Sequence, residues 1–264
     1  MANISSMWAI ALRHIRVLQR DVNFLLMYFY WPLLDILTWG FLGSWIGKSQ
    51  MTGFQHYELI ALLGVVLWGV VGRGCNFMVF AFTEELWSYN LINLCSLPLS
   101  LAEWIGGIVV FYMIMMSATS LFCIAAAGLL YDISLWQFVS TFLLFTPPLI
   151  ASAIWIGFTS LQLVVMLGKR GMELAFVVTW FLLPFSGAYY PISVLPAWGQ
   201  MFSACLPISY VFEGVRNYVT YQQDPTMYLL KGYALAIPYA IIAVSGFVYC
   251  FNRSKRKGLA RLVE

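Results

Sequence analysis

Few residues of this chain could do chemistry, and most of those stand where charge is costly. Asp35 and Arg73 each interrupt a long apolar run, about 12 and 15 residues in from where it begins. An ionisable group that deep in a bilayer marks a functional site or a neutralised pair. The two are expected to pair across antiparallel helices, either as a tie that locks them or as a switch that senses a substrate. Glu84 and Glu85 stand side by side just past the second apolar run, in a stretch without a base. Glu213 and Arg216 are three apart, so they share a helical face inside an apolar, aromatic-rich segment. They form either an intrahelical pair or part of a gate whose wall is Tyr189, Tyr190, Trp198, Phe202, Tyr210 and Phe212.

Other chemistries are missing. His14 and His56 fall near opposite ends of the topology derived below, without a mid-membrane partner, so no metal or catalytic histidine is expected. A lipid-modifying membrane enzyme is the alternative from another class, but the acids are dispersed and form no HxxxD or HExxH arrangement. The string GSWIGKS, Gly43 to Ser49, is one residue short of a Walker A loop and closes an apolar helix instead of following a strand. Gly43 and Gly47 suit close helix approach instead. No residue is assigned a catalytic role, and a channel's repeated polar pore-lining positions are absent from the sequence.

These residues must be positioned by membrane helices. The chain has 264 residues, 62% hydrophobic, 17% aromatic and 9% charged. A soluble domain is about one quarter charged, so this composition cannot cover a surface in water. Five cysteines, an odd number without a CxxC pair, exclude a disulfide scaffold, and the scarcity of charge excludes nucleic acid as a partner. Crossing a bilayer takes roughly 20 apolar residues. Six stretches qualify, at about 23–47, 59–82, 101–130, 136–167, 174–189 and 228–251.

Placing both ends in the cytoplasm puts Arg13, Arg16, Arg20, Lys169, Arg170, Arg253, Lys255, Arg256, Lys257 and Arg261 inside, ten of the 14 basic residues. Residues 190–221 are too apolar for an external loop, yet Pro191, Pro196 and Pro207 cut them into pieces of about 193–205 and 208–221, each too short to cross. A hairpin that dips in and returns is expected, and such backbone belongs beside a cavity. Residues 1–22 form an amphipathic helix: Ile4, Met7, Trp8, Ala11, Leu12, Ile15 and Leu18 on one face, Arg13, Arg16 and Arg20 on the other. It is read as interfacial, its arginines toward lipid head groups or its polar face toward an ATPase. Thr83 is expected to cap a short cytoplasmic helix, about 84–96, whose first turn holds Glu84 and Glu85 and whose apolar side is Leu86, Trp87, Leu91, Ile92 and Leu94. Such a helix suits a groove on a partner or rests on lipid. The aromatics of the first span, among them Tyr28, Trp31, Trp39 and Trp45, read as a lipid-facing belt or a stacking track for sugar rings.

Two blocks resemble the permease subunit of bacterial type-2 ATP-binding-cassette exporters. The first is Glu84-Glu85, a short helix, Pro98-Leu99-Ser100, Glu103 and Gly106. The second is Ser186-Gly187, Tyr189-Tyr190-Pro191, Pro196 with Trp198, Pro207-Ile208-Ser209-Tyr210, then Glu213 and Arg216. The resemblance implies an all-α membrane fold: an interfacial helix at 1–22 and a single six-span domain over 23–264, with a re-entrant hairpin before the last span. It implies Glu84, Glu85, Leu86, Trp87 and Leu91 as the ATPase-coupling element, and Tyr189, Tyr190, Tyr210, Glu213 and Arg216 as the exit gate. It also implies two copies of a separate ATPase subunit, which would hold the ATP and Mg, a second copy of this chain, and an amphipathic, lipid-linked or drug-like cargo. A polysaccharide or lipid-linked glycan is the alternative cargo.

Overall fold

A computed structural model describes residues 3–20, 22–48, 57–88, 90, 93, 98–131 and 133–256. Its helices are α1 (Ile4–Arg20), α2 (Val22–Lys48), α3 (Tyr57–Trp87), α4 (Leu101–Leu130), α5 (Leu135–Leu167), α6 (Lys169–Leu182), α7 (Ala197–Ala204), α8 (Pro207–Tyr221) and α9 (Thr226–Arg256). Short 3₁₀ turns occupy Leu183–Phe185 and Ile192–Val194, and no strand occurs among the described residues.

Four of these helices, α3, α4, α5 and α9, are long and apolar enough to cross a membrane, at 30 to 33 residues each. At 1.5 Å per residue they reach roughly 45 Å or more. The chain is thus an all-helical protein whose helices suit a bilayer. In the core stretch of α3, 83% of residues are buried, against 22% in α9. That contrast makes α3 the axle of the bundle, with α2, α4 and α5 packed around it and α9 on the outside of α5.

Lipid is as apolar as leucine, so such helices associate through close packing rather than escape from water. Phe82 of α3 meets Trp104 of α4 and Phe247 of α9 at ring separations of 5.4 and 5.9 Å. Gly43 of α2 sits where an added Cβ would lie 2.9 Å from the Cα of Glu58, which realises the close approach expected there. The helix α5 runs unbroken through Pro147 and Pro148, and Thr146 and Ser152 turn their hydroxyls back to the carbonyls of Phe142 and Pro148.

The chain departs from the sequence expectation at both ends of α6, and α3 and α9 each run five residues further than expected, to Trp87 and Arg256. Gly168, at φ +60°, makes the whole turn between α5 and α6, so α6 begins at Lys169 instead of 174. It ends at Leu182 instead of 189, where the chain tightens into a 3₁₀ turn containing Pro184, which has no N–H to continue the ladder. Two short helices occupy the proline-cut segment: Pro196 precedes α7, which starts at Ala197 instead of 193, and Pro207 occupies the first turn of α8, the position that tolerates its missing donor.

Candidate functional site

Three clusters of polar groups lie along α3, one at each end and one halfway. At its C-terminal end the helix does not stop at Thr83. The Thr83 hydroxyl donates to the Phe80 carbonyl, and the helix continues to Trp87, so Glu84 and Glu85 belong to its last turn rather than to the first turn of a new helix. Acids are disfavoured at that end of a helix dipole. Here α1 supplies the compensation. Arg13 donates to Glu85 at 2.8 Å, the Asn90 amide donates to the same oxygen at 2.8 Å, and the His14 ring lies 3.1 Å from Glu84 and 3.8 Å from Glu85. Glu85 is 1% exposed and His14 2%.

This arrangement turns Glu85 inward, while Glu84 keeps 20% of its side chain exposed. Arg13, expected toward lipid head groups or an ATPase, meets a carboxylate. His14, expected to lack a mid-membrane partner, has its partners at the end of α3 and is the buried centre of the cluster. The docking of α1 is continued by Met7 and Ile10, which lie against Gly106 and Gly107 of α4; a Cβ on Gly107 would come within 2.6 Å of the Ile10 Cβ. Ser100 and Glu103 cap α4 reciprocally: the Ser100 hydroxyl accepts from the Glu103 N–H at 3.2 Å, and Glu103 accepts from the Ser100 N–H at 2.8 Å. The other Glu103 oxygen accepts from the Asn3 N–H at 2.8 Å and ties down the start of α1. Leu86 is buried and Trp87 is 53% exposed. Leu91 and the rest of the expected coupling helix, 91–92 and 94–96, lie outside the described residues, as does position 89.

Halfway along, Arg73 Nη1 lies 3.4 Å from Asp35 Oδ2. Asp35 is 13 residues from either end of α2, and Arg73 is 16 and 14 residues from the ends of α3. The two side chains are 43% and 18% exposed respectively, so the pair reaches the surface of the bundle. The Arg73 guanidinium folds back over Gly69, where any Cβ would collide with it. Beside the pair, Trp39 stacks on Tyr189 at 4.2 Å and 7°.

At the N-terminal end of α3, Gly64 meets the carbonyl of Ala188 so closely that it has no room for a side chain. Glu213 and Arg216 form their pair at 3.0 Å, but each also holds the turn that crosses above α3. Arg216 donates to the Gly187 carbonyl at 2.8 Å and Glu213 accepts from the Ile192 N–H at 2.8 Å. Gly187 is at φ +75°, a conformation glycine adopts without strain. Tyr190 and Tyr210 each donate to a backbone carbonyl, of Pro184 and Ala204. The six aromatic residues expected as one wall divide instead: Trp198 and Phe202 pack on Phe185, Tyr189 on Trp39, and Phe212 faces Trp68. Two cavities of about 400 and 300 Å³ adjoin the clamp, and Glu213 lines both. The larger is closed by Tyr57, Tyr189, Arg216, Asn217, Thr220 and Tyr221 among others. Among the described residues no group of three His, Cys, Asp or Glu side chains could hold a metal ion.

Neither a scan against protein-family models nor a search of curated proteins finds a match for this chain.

Proposed function

We propose that the chain is the permease subunit of a type-2 ATP-binding-cassette exporter. It works in the bacterial inner membrane as a homodimer with two copies of a separate ATPase, and exports an amphipathic, lipid-linked or drug-like substrate. Six crossings follow if α2 and α6 join the four long apolar helices, with α7 and α8 as a re-entrant hairpin. Length alone does not set α8 apart, since α6 has 14 residues to its 15; the 3₁₀ turn Leu183–Phe185 continues α6, whereas Pro207 separates α8 from the eight-residue α7. Both chain ends then lie in the cytoplasm, on the side of the basic residues. α1 and the outer clamp sit at opposite ends of α3, as this topology requires.

The observation that carries a transport role is the Asp35–Arg73 pair. It lies at the midpoint of two bilayer-length helices, and Asp35 is 43% exposed on the outside of the bundle. A charge at that depth does not face lipid; it faces protein or a water-filled path. A second copy across a shared conduit provides both. Because Glu84 and Glu85 hold α1, the surface offered to the ATPase is the outer face of α1, with the exposed Trp87.

The test is affinity capture of the tagged chain with its membrane partners, then ATP-driven uptake of a substrate panel, lipids and glycans included, into inverted vesicles. A co-purifying nucleotide-binding subunit and uptake that needs ATP are expected. Capture without any such subunit, together with no ATP-dependent uptake, would defeat the proposal.

A further inference from the structure

One face of α2 has no partner among the described residues. Trp31, Asp35, Thr38, Leu42 and Trp45 are spaced four, three, four and three residues apart, so they line a single stripe. Trp31, Leu42 and Trp45 are 57%, 37% and 69% exposed, Thr38 is exposed, and the Asp35 side chain is 43% exposed. An apolar stripe alone would suit lipid. A carboxylate and a hydroxyl at its centre do not.

We propose that this stripe is a binding site for a lipophilic organic cation, with Asp35 as the charge-recognising group and the tryptophans as its walls. The placement of the charges gives the sign. Arg73 approaches Asp35 from behind, folded over Gly69, and reaches only Oδ2. Among the described residues Oδ1 has no hydrogen-bond partner. A molecule arriving at the outer face of α2 therefore meets the acid before the base. It also meets Trp31, 57% exposed and one helical turn away at i−4 from Asp35. Trp39, at i+4, is half-buried with one face stacked on Tyr189 and fixes the inner edge of the site. Aromatic rings and a carboxylate both attract cations, and the attraction grows where water is excluded. An anion would meet the carboxylate first and reach Arg73 only past it. Binding rests on the geometry of α2 alone; that the site takes up cargo for export rests on the reading above.

The probe is tetraphenylphosphonium, measured by equilibrium dialysis against the purified full chain in detergent, with tetraphenylborate as an anion of the same size and shape. Saturable binding of the cation is expected, and none of the borate, each ion being measured in separate cells because the two precipitate together. Asp35→Asn should weaken it by about tenfold or more, and Trp31→Ala by about threefold. Asp35→Glu, which keeps the charge, should retain binding, and Asp35→Asn is measured on material whose size-exclusion profile and helix content match the wild type, so that its loss reports the site and not the fold. Equal binding to wild type and Asp35→Asn, saturable binding of the borate at the same site, or no saturable binding of the cation overturns the proposal. No ATPase takes part, so a failure here leaves the exporter reading standing, and a missing ATPase partner leaves this site standing.

Discussion

Replacing Glu85 by glutamine tests whether α1 is bolted to the bundle by charge. The substitution keeps the shape of a side chain that is 1% exposed and removes the charge that Arg13 and Asn90 contact at 2.8 Å. Breaking a fully buried pair costs about 3–5 kcal/mol because a charge is stranded. Arg13 is 38% exposed and can turn to water, and the glutamine oxygen still accepts, so the expected loss is about 1–3 kcal/mol. That is a rise of roughly 5- to 150-fold in the population with α1 undocked. Ala11, 0% exposed on the buried face of α1, reports it: an Ala11→Cys background should be protected from a maleimide, and Glu85→Gln should raise labelling by that factor. Labelling is read on the α1 peptide by mass spectrometry, because Cys205 is exposed and reacts in any background. Arg16→Gln, at an exposed position, is the control and should change nothing. If Glu85→Gln labels at the wild-type rate, α1 is held by its apolar face alone and the charge cluster is incidental.

The same cysteine should respond to Gly107→Val, whose branched side chain enters the space of the Ile10 Cβ and pushes α1 away without touching any charge. Asp35→Asn and Arg73→Gln should each destabilise the detergent-solubilised protein, by about 1–3 kcal/mol after discounting for the exposure of Asp35. The double variant should recover much of the loss, and additive losses would show that the two charges act independently. Glu213→Gln weakens the bond to the Ile192 N–H, so hydrogen exchange across 187–195 should quicken by about tenfold. Gly64→Val should do the same by displacing Ala188, and unchanged exchange in both would mean that the turn is held from elsewhere.

The pairing of Asp35 with Arg73 was legible in the sequence because each charge interrupts an apolar run at a matching depth, and few other partners exist there. Glu213 and Arg216 were legible as a pair by their spacing, but their other bonds were not. Those go to the Gly187 carbonyl and the Ile192 N–H, and backbone partners leave no mark on residue types. The docked position of α1 was hidden for a different reason. Met7, Ile10, Ala11 and Leu18 make the same apolar stripe whether they rest on lipid or on α4, because the two surroundings are equally apolar. His14 could have broken that ambiguity. A histidine on the apolar stripe needs a polar partner, and Glu84–Glu85 was the nearest unpaired acid in the topology. Thr83-Glu84-Glu85 misled because a threonine before two acids fits a helix start, while the same hydroxyl bonds equally well to the preceding turn.

The geometry of α3 has a mechanical consequence. A helix buried over 83% of its core stretch cannot bend or unwind without opening its neighbours, so a load at one end is carried to the other as rigid tilt. One end holds α1 through Glu84 and Glu85; the other seats the turn at Ala188, and Gly64 and Glu85 are 21 residues or about 32 Å apart along the axis. Static contacts separated that far should act independently, so Glu85→Gln should leave hydrogen exchange at Ile192 unaltered and Glu213→Gln should leave Ala11→Cys protected. If the chain is the exporter permease proposed above, ATP-driven export uses the rod and should fail in both. Glu85→Gln would lose the input and keep its outer turn closed, while Glu213→Gln would keep the input and leak. Should Glu85→Gln by itself quicken exchange at Ile192, the two ends form one cooperative unit at rest, and α3 as a passive rod is the wrong description.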